Sequence, residues 1–289
     1  MAPKLSVVIG TYNQKEKLKQ VLESLITQTL PKEAYEIIVV DSSSTDGTDK
    51  MIEELARSKR PEVVGLRFIK QENLGRPGAR NRGINEAQGE IIFITDADML
   101  ANSRLLEEHL KAHKSKRNAS FEGLTINPDG TPYIKERIKP AQRLKWSFFL
   151  TGNLSIPKNI IQQSGMFDMD FAGYGWEDIE LGYRLHKIGV PLYYLPSAVN
   201  HHMHPVTKNE MFKRKYSMGR SARIFLKKHS NTEIKLFLGI NPLAMGIYKL
   251  IKRLPKLQKY IESRASSSNI CRYIWEEFLY RKGLEGEAK

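Results

Sequence analysis

The chain has 289 residues, enough for one large domain with an appendage, and its 40% hydrophobic and 27% charged residues exclude a disordered chain and a multi-span membrane protein. A single cysteine, Cys271, excludes an internal disulfide framework and an intrachain thiolate cluster. The net charge of +14 is uneven: residues 205–289 hold 19 Lys+Arg against 7 Asp+Glu, which leaves 27 against 25 in residues 1–204. Met-Ala-Pro-Lys runs straight into a strand pattern without an apolar signal core, so the expected home is a reducing cytoplasm.

Leu5-Ser-Val-Val-Ile9 reads as a strand, broken by Gly10-Thr-Tyr-Asn13 ahead of a helix. In that helix Leu18, Val21, Leu22, Leu25 and Ile26 fall at i, i+3, i+4, i+7 and i+8, one apolar stripe. Tyr35-Glu-Ile-Ile-Val-Val40 is a second strand ending in Asp41, and residues 42–47 supply the loop and N-cap of a helix bearing Met51, Ile52 and Leu55. A third strand around 63–69 leads into the segment Asn73-Leu-Gly-Arg-Pro-Gly-Ala-Arg-Asn-Arg-Gly83 and a helix to about Ala87. Ile91, Ile92, Phe93 and Ile94 then form the continuous run expected of a strand covered on both faces. Asp96 and Asp98 follow at its C-terminal end, where open α/β sheets place ligands. Strands alternating with helices predict an α/β fold, a parallel sheet with right-handed crossovers.

Beyond Asp98, Leu105, Leu106 and Leu110 indicate a helix, residues 111–118 are polar and basic, and Asn127-Pro-Asp-Gly130 is a turn. Few elements are legible across 119–150, a stretch expected to face substrate. Thr151-Gly-Asn153 precedes a short apolar piece and a helix near 158–164. A glycine- and aromatic-rich loop, Phe171-Ala-Gly-Tyr-Gly-Trp176, then runs into Glu177 and Asp178, the first turn of a helix through Leu185. Acids there are favoured by the helix dipole, which keeps them ionised and suits a base. Beyond the strand Pro191-Leu-Tyr-Tyr-Leu195 stand His201, His202 and His204, three imidazoles that suit a metal.

No G-x-G-x-x-G follows the first strand and no G-x-x-x-x-G-K-[ST] loop occurs, so a dinucleotide cofactor and a triphosphate cradle are both disfavoured. A diphosphate can still be held through a divalent ion. Two carboxylates one residue apart, Asp96 and Asp98, repel each other unless such an ion or a bridging group lies between them, and hard oxygen donors suit Mg²⁺ or Mn²⁺.

With these pieces assembled, the chain resembles the inverting family 2 glycosyltransferases of GT-A fold. The matching motifs are Val-Val-Ile-Gly-Thr-Tyr-Asn13, Val-Val-Asp-Ser-Ser-Ser-Thr-Asp-Gly47, the 73–83 segment and Thr-Asp-Ala-Asp98. The block Gly175-Trp-Glu-Asp-Ile-Glu-Leu-Gly-Tyr-Arg-Leu185 is similar to the galactosyl- and hexosaminyl-transferring branch, chondroitin-polymerase-like modules included. The resemblance covers roughly residues 4–205 and implies a catalytic domain over 1–204 followed by a basic amphipathic helical region over 205–289. It implies a nucleotide pocket of Thr11, Tyr12, Asn13, Asp41, Arg80 and Asp96, and a D-x-D metal motif of Asp96 and Asp98. Asp178 matches the family's base, and Glu177, with Gly152, Asn153 and Trp176, would hold the acceptor. A histidine after the following strand is often a further metal ligand in the family; His201 is favoured for it, ahead of His204 and His202. The implied reaction moves a hexose or N-acetylhexosamine from a UDP-sugar to a hydroxyl of a glycan or lipid-linked acceptor, with Mn²⁺ or Mg²⁺.

Each residue also has a plainer reading. An isolated D-x-D is usually a solvated turn; its place after a buried strand, with Asp41 on the same edge, reverses that preference. Tyr12 could be a half-buried aromatic at a strand end, and Arg80 and Arg82 surface cations of a helix. Glu180 and Arg184 are spaced for an i, i+4 ion pair. Two rival functions stand beside the transferase: a nucleotidyltransferase with an acidic metal pair, and a non-catalytic carbohydrate-binding or scaffold protein. In the tail, 211–228 and 247–261 alternate cations with apolar residues around a run too short and broken to span a bilayer. Two readings are balanced there: a helical region lying on an anionic membrane, at the inner face of the cell membrane, or one packing on the catalytic domain or a second copy of the chain. Nucleic acid is not expected, since no recognised module accompanies the charge.

Overall fold

The computed structural model describes every residue except Met1, 58–64, 135–137, His204, Val206 and 287–289. Its contacts form two compact units, Met1–Met169 with Asp178–Pro205, and Asp170–Glu177 with Val206–Lys289.

The first unit is built on three strands buried on both faces, β1 (Leu5–Thr11), β2 (Tyr35–Asp41) and β4 (Ile91–Asp96), with β3 (Leu66–Lys70) as a half-buried edge strand. They run parallel in the order β3-β2-β1-β4, with the continuous apolar runs at β2, β1 and β4 and helices crossing over between strands. The crossovers are α1 (Lys15–Ile26), α2 (Thr48–Arg57) and α3 (Gly75–Glu86). The stripe of Leu18, Val21, Leu22 and Leu25 on α1 is fully buried with Val7, Ile9, Val39 and Phe93. On the opposite face Val8, Ile38, Val40, Ile92 and Ile94 pack with Ala79 and Ile84 of α3. Gly83 of α3 sits over Val8, where a Cβ would collide with the valine, so the glycine sets how closely α3 approaches β1.

Beyond β4 the chain adds β5 (Met99–Ala101), α4 (Leu105–Ser115), β6 (Ser120–Ile126), β7 (Arg143–Leu144), β8 (Leu154–Pro157), α5 (Lys158–Gln163), α6 (Glu177–Lys187) and β9 (Leu192–His202). The sheet continues past β4 as β8-β6-β9-β5, with β7 paired to β9. Here β8 is antiparallel to both β4 and β6, β5 is antiparallel to β9, and β6 and β9 run parallel with a register shift between Gly123 and Leu124. Most of the paired length is therefore parallel, the α/β arrangement that the resemblance to GT-A enzymes implies. Two expectations need adjustment. A strand, β6, crosses the stretch where few elements were legible, and β9 runs on through Pro196 to include His201 and His202 rather than stopping at Leu195.

The second unit is helical: α7 (Lys208–Lys228), α8 (Thr232–Phe237), α9 (Pro242–Arg253), α10 (Pro255–Arg264) and α11 (Asn269–Glu285). Its starts are encoded locally. Thr207 and Glu210 form a reciprocal capping box on α7, Asn231, Asn241 and Ser268 cap α8, α9 and α11, and proline opens α9 and α10. Tyr248, Ile251, Ile261, Trp275 and Phe278 form its core. The segment Asp170–Glu177 belongs here. Phe171 meets Phe225 with ring centroids 6.4 Å apart, the Tyr174 N–H donates to Ser217 Oγ at 2.8 Å, and Trp176 Nε1 donates to the Met218 carbonyl at 2.9 Å. Among the described residues no helix is long and apolar enough to cross a membrane.

Candidate active site

Strand register decides which side chains share the C-terminal edge of the parallel sheet. Thr11 stands opposite Asp41, and Gly10 opposite Asp96, so β2, β1 and β4 end at the same sheet edge with Asp96 one residue short of the level of Thr11 and Asp41. Asp41 is 1% exposed and its carboxylate accepts from Ser44, through the backbone N–H at 3.1 Å and through the hydroxyl. Asn13, held at φ 51°, accepts from Thr45 N–H at 2.8 Å, while its own N–H donates to Ser44 Oγ at 2.8 Å. Asp41 and Asn13 thus shape the rim by tying two loops together. Thr11 presents the contrasting case: its hydroxyl is buried without a hydrogen-bond partner among the described residues, a cost of about 1–3 kcal/mol that a ligand at this edge would remove. Tyr12, 50% exposed, is accessible beside it.

Asp96 and Asp98 have different neighbours. Arg80, buried on α3, donates Nη2 to Asp96 Oδ1 at 3.0 Å and lies 5.2 Å from the Phe167 ring, so its charge is fixed at the edge. Asp98 instead meets His202 Nε2 at 3.4 Å, because β5 pairs antiparallel with β9 and sets Met99 opposite His202. Burial raises the Asp98 carboxyl, but the His202 hydrogen bond and charge, with Lys17 and Arg76, outweigh it and hold the group below the usual carboxylate range. His201, the histidine favoured from sequence, faces away, exposed opposite Leu100, and His204 lies outside the described residues. A carboxylate held ionised beside an imidazole suits Mn²⁺ or Mg²⁺, which bind through one or two carboxylates plus substrate phosphates. The donor set fits such an ion, although no cluster of three protein ligands is assembled among the described residues.

Gly152 and Asn153 behave unlike each other. The Gly152 carbonyl accepts from Thr95 Oγ1 at 2.9 Å and Asn200 Nδ2 at 2.7 Å, which anchors this turn to β4 and β9. Asn153 is fully buried, donating to the Leu124 and Ala198 carbonyls at 3.2 and 3.0 Å and bonded to His109 Nε2 at 2.9 Å. It therefore braces the sheet from within. The same interior network runs from His109 Nδ1 to Ser155 Oγ at 2.7 Å and from Ser155 Oγ to His113 Nε2 at 2.8 Å. Burial pushes His109 down to about 4, and burial with the neighbouring His109 pushes His113 to about 3, so both rings are neutral at pH 7.

Asp178 stands in the first turn of α6, half-buried. Sequence reasoning missed the group that faces it electrostatically. Glu122, in the middle of β6, is 2% exposed and accepts from the Leu150 N–H at 3.0 Å. Burial raises its carboxyl well above the ordinary value against the opposing Leu150 bond, and the charge of Asp178 raises it further. Burial and the charge of Asp178 thus both push Glu122 toward its protonated form. Its one sequence signal was an acid inside Ser120-Phe-Glu-Gly-Leu-Thr-Ile126, where the alternation of a buried strand calls for an apolar residue. Trp176 and Glu177 fall in the second unit, where Trp176 takes φ 74°, a left-handed conformation costly for an aromatic residue.

Residues 6–171 match the family described as "Glycosyl transferase family 2". Among curated proteins, the chain is 29% identical over 228 residues to Validoxylamine A glucosyltransferase of Streptomyces hygroscopicus subsp. limoneus, covering 66% of this chain and 49% of that protein. The chain spans about half the length of the first curated relatives it matches. Among solved structures it is similar to S. aureus TarS 1-349 in complex with UDP, with TM-score 0.61 and 17% identity over 98% of this chain and 90% of that one. It is also similar to the mannosyltransferase PcManGT from Pyrobaculum calidifontis in complex with GDP-Man and Mn²⁺, with TM-score 0.64 and 19% identity over 99% and 86%. At these identities the structures share a fold with this chain.

Proposed function

From the premise that the chain belongs to glycosyl transferase family 2, we propose that it moves a hexosyl or N-acetylhexosaminyl group from a UDP-sugar to a hydroxyl of a glycan or lipid-linked acceptor, with inversion. The observation that carries this reading is that Asp41, Thr11 and Asp96 all end strands at one sheet edge, together with Asp98 held ionised by His202. The nucleoside end of the donor would meet Asp41, Tyr12 and the buried Thr11 hydroxyl. Arg80, pinned by Asp96 and Phe167, supplies positive charge to the diphosphate. Asp98 and His202 would hold Mn²⁺ or Mg²⁺, which when bound neutralises charge on the departing diphosphate.

The acceptor hydroxyl attacks the anomeric carbon from the face opposite the diphosphate. As the new C–O bond forms and the C–O bond to the diphosphate breaks, the hydroxyl proton passes to an Asp178 carboxylate oxygen. Asp178 is suited to this as a half-buried carboxylate in the first turn of α6, where the helix dipole favours its ionised form. The test is UDP-sugar hydrolysis and UDP binding with and without Mn²⁺, followed by a donor screen across UDP-, GDP- and TDP-sugars. Slow, Mn²⁺-stimulated release of UDP is expected. No turnover together with no affinity for UDP would overturn the proposal, and a preference for GDP-sugars would reassign the donor.

A further inference from the structure

Helix α9 is apolar on two sides, and among the described residues one of them is packed and the other exposed. Tyr248 and Ile251 point into the core of the helical unit. Leu243, Ile247, Leu250 and Leu254, spaced i, i+4, i+7 and i+11, form a second stripe centred on another side of the helix, exposed at 76%, 51%, 57% and 44%. Leu257 and Tyr260 on α10 and Leu236 on α8 are exposed as well. Large aliphatic residues aligned outward in this way mark an interaction surface rather than scattered surface apolarity.

The charges around the stripe say what it meets. From residue 234 to residue 261 there is no Asp or Glu, while Lys235, Lys249, Lys252, Arg253, Lys256 and Lys259 all fall within it. Lys249, Arg253, Lys256 and Lys259 are exposed, and their aliphatic stems can lie along apolar surface while the cationic ends reach outward. A second copy of the same face would bring like charges together. Helix α9, with 12 residues, is too short to span a bilayer but suits a helix lying in the interface.

We infer that this face docks on an anionic lipid bilayer, with the Leu243–Ile247–Leu250–Leu254 stripe entering the acyl boundary and the flanking lysines and arginine meeting lipid phosphates. Neither the donor chemistry nor the acceptor enters this inference.

The test uses the full chain in co-sedimentation with vesicles of phosphatidylcholine alone and of phosphatidylcholine with about 30% phosphatidylglycerol. Binding is expected to the anionic vesicles, at least about tenfold weaker to the neutral ones, and weakening between about 0.1 and about 0.5 M salt. Replacing Leu243→Glu together with Leu250→Glu should lower partitioning by at least about tenfold, and Lys256→Gln by about fivefold. Because these side chains are exposed, the helical circular-dichroism signal and the melting temperature should not change. Three results would overturn the inference: no binding to the anionic vesicles, equal binding by the folded double variant, or a concentration-dependent dimer in sedimentation equilibrium that the double variant abolishes.

Discussion

An aspartate is ionised near neutral pH by default and can accept a proton there, whereas a carboxyl sealed away from water resists ionising. Burial separates Glu122 from Asp178 in this way: the first is sealed inside β6 and the second stands half-exposed at the start of α6. Asp178→Asn keeps the shape but removes the acceptor lone-pair charge, so transfer should fall by about 10²–10⁴ while UDP affinity, measured by calorimetry, is unchanged. Activity retained in that variant would move the base elsewhere. Glu122 should respond to chemistry rather than to charge. Glu122→Gln can still accept from the Leu150 N–H and should cost less than about 1 kcal/mol, whereas Glu122→Ala strands that N–H beside a void and should cost about 2–4 kcal/mol in urea unfolding. The pH dependence has a definite sign. A carboxyl raised in the fold favours the folded state below its unfolded value of 4.5, and that contribution is lost as pH rises. The Gln variant should therefore gain on the native chain between pH 4.5 and pH 7, and a constant difference would show that Glu122 is ionised in the fold.

Helix α4 is joined to β8 by a buried polar network, and pH acts on that joint in the opposite direction. His109 and His113 have folded values of about 4 and about 3 against an ordinary 6.5, so above 6.5 both states are neutral and the full stability is present. As pH falls through 6.5 the unfolded chain takes up protons that the folded chain refuses until about 4, and stability declines by about 1.4 kcal/mol per pH unit for each histidine. By pH 5 the loss should approach about 2 kcal/mol per ring, read from urea midpoints, and His113→Gln should remove roughly half of the slope. Packing between α7 and α11 depends instead on two glycines: a Cβ on Gly219 would strike the Tyr280 carbonyl, and one on Gly283 the Tyr216 carbonyl. Gly219→Ala should cost about 1–3 kcal/mol in the helical unit despite alanine's better helix propensity. Such joints explain what sequence could and could not tell. Helix α1 and strands β1, β2 and β4 were legible because periodicity and burial agree, and Asp41, Thr11 and Asp96 were legible because each follows one of those strands. Strand β6 was not, since Glu122 breaks its apolar pattern and the shift at Gly123 breaks its register. The histidine beside Asp98 could not be chosen among three in four residues until the pairing of Met99 with His202 was known. His109 and Ser155 are 46 residues apart, and no local pattern connects them.

The chain leaves its first unit at Met169 and re-enters it at Asp178, and the eight residues between are bound by partners that come later in sequence. Phe171 is fully buried and meets Phe225, Tyr174 uses Ser217, and Trp176 is held by the Met218 carbonyl and the Phe237 ring, whose centroid is 5.5 Å away. Ending the chain after Pro205, at the charge boundary that composition suggests, would therefore remove more than a basic tail. It would strip every one of these partners from the segment that delivers α6, whose first residue is Glu177. Burying a phenylalanine contributes about 1.5–3 kcal/mol and Trp176 adds its own share, so the shortened chain should hold this segment loosely. Of the two tryptophans that remain in it, Trp146 is buried within the first unit and should keep its emission, while Trp176 should move into water. The expected outcome is red-shifted fluorescence, lower solubility and a loss of transfer greater than the loss of UDP binding, because Thr11, Asp41 and Arg80 lie on elements of the first unit and Asp178 directly follows the loosened segment. Native emission and full transfer by residues 1–205 would mean that 170–177 is fixed without the helices that follow it.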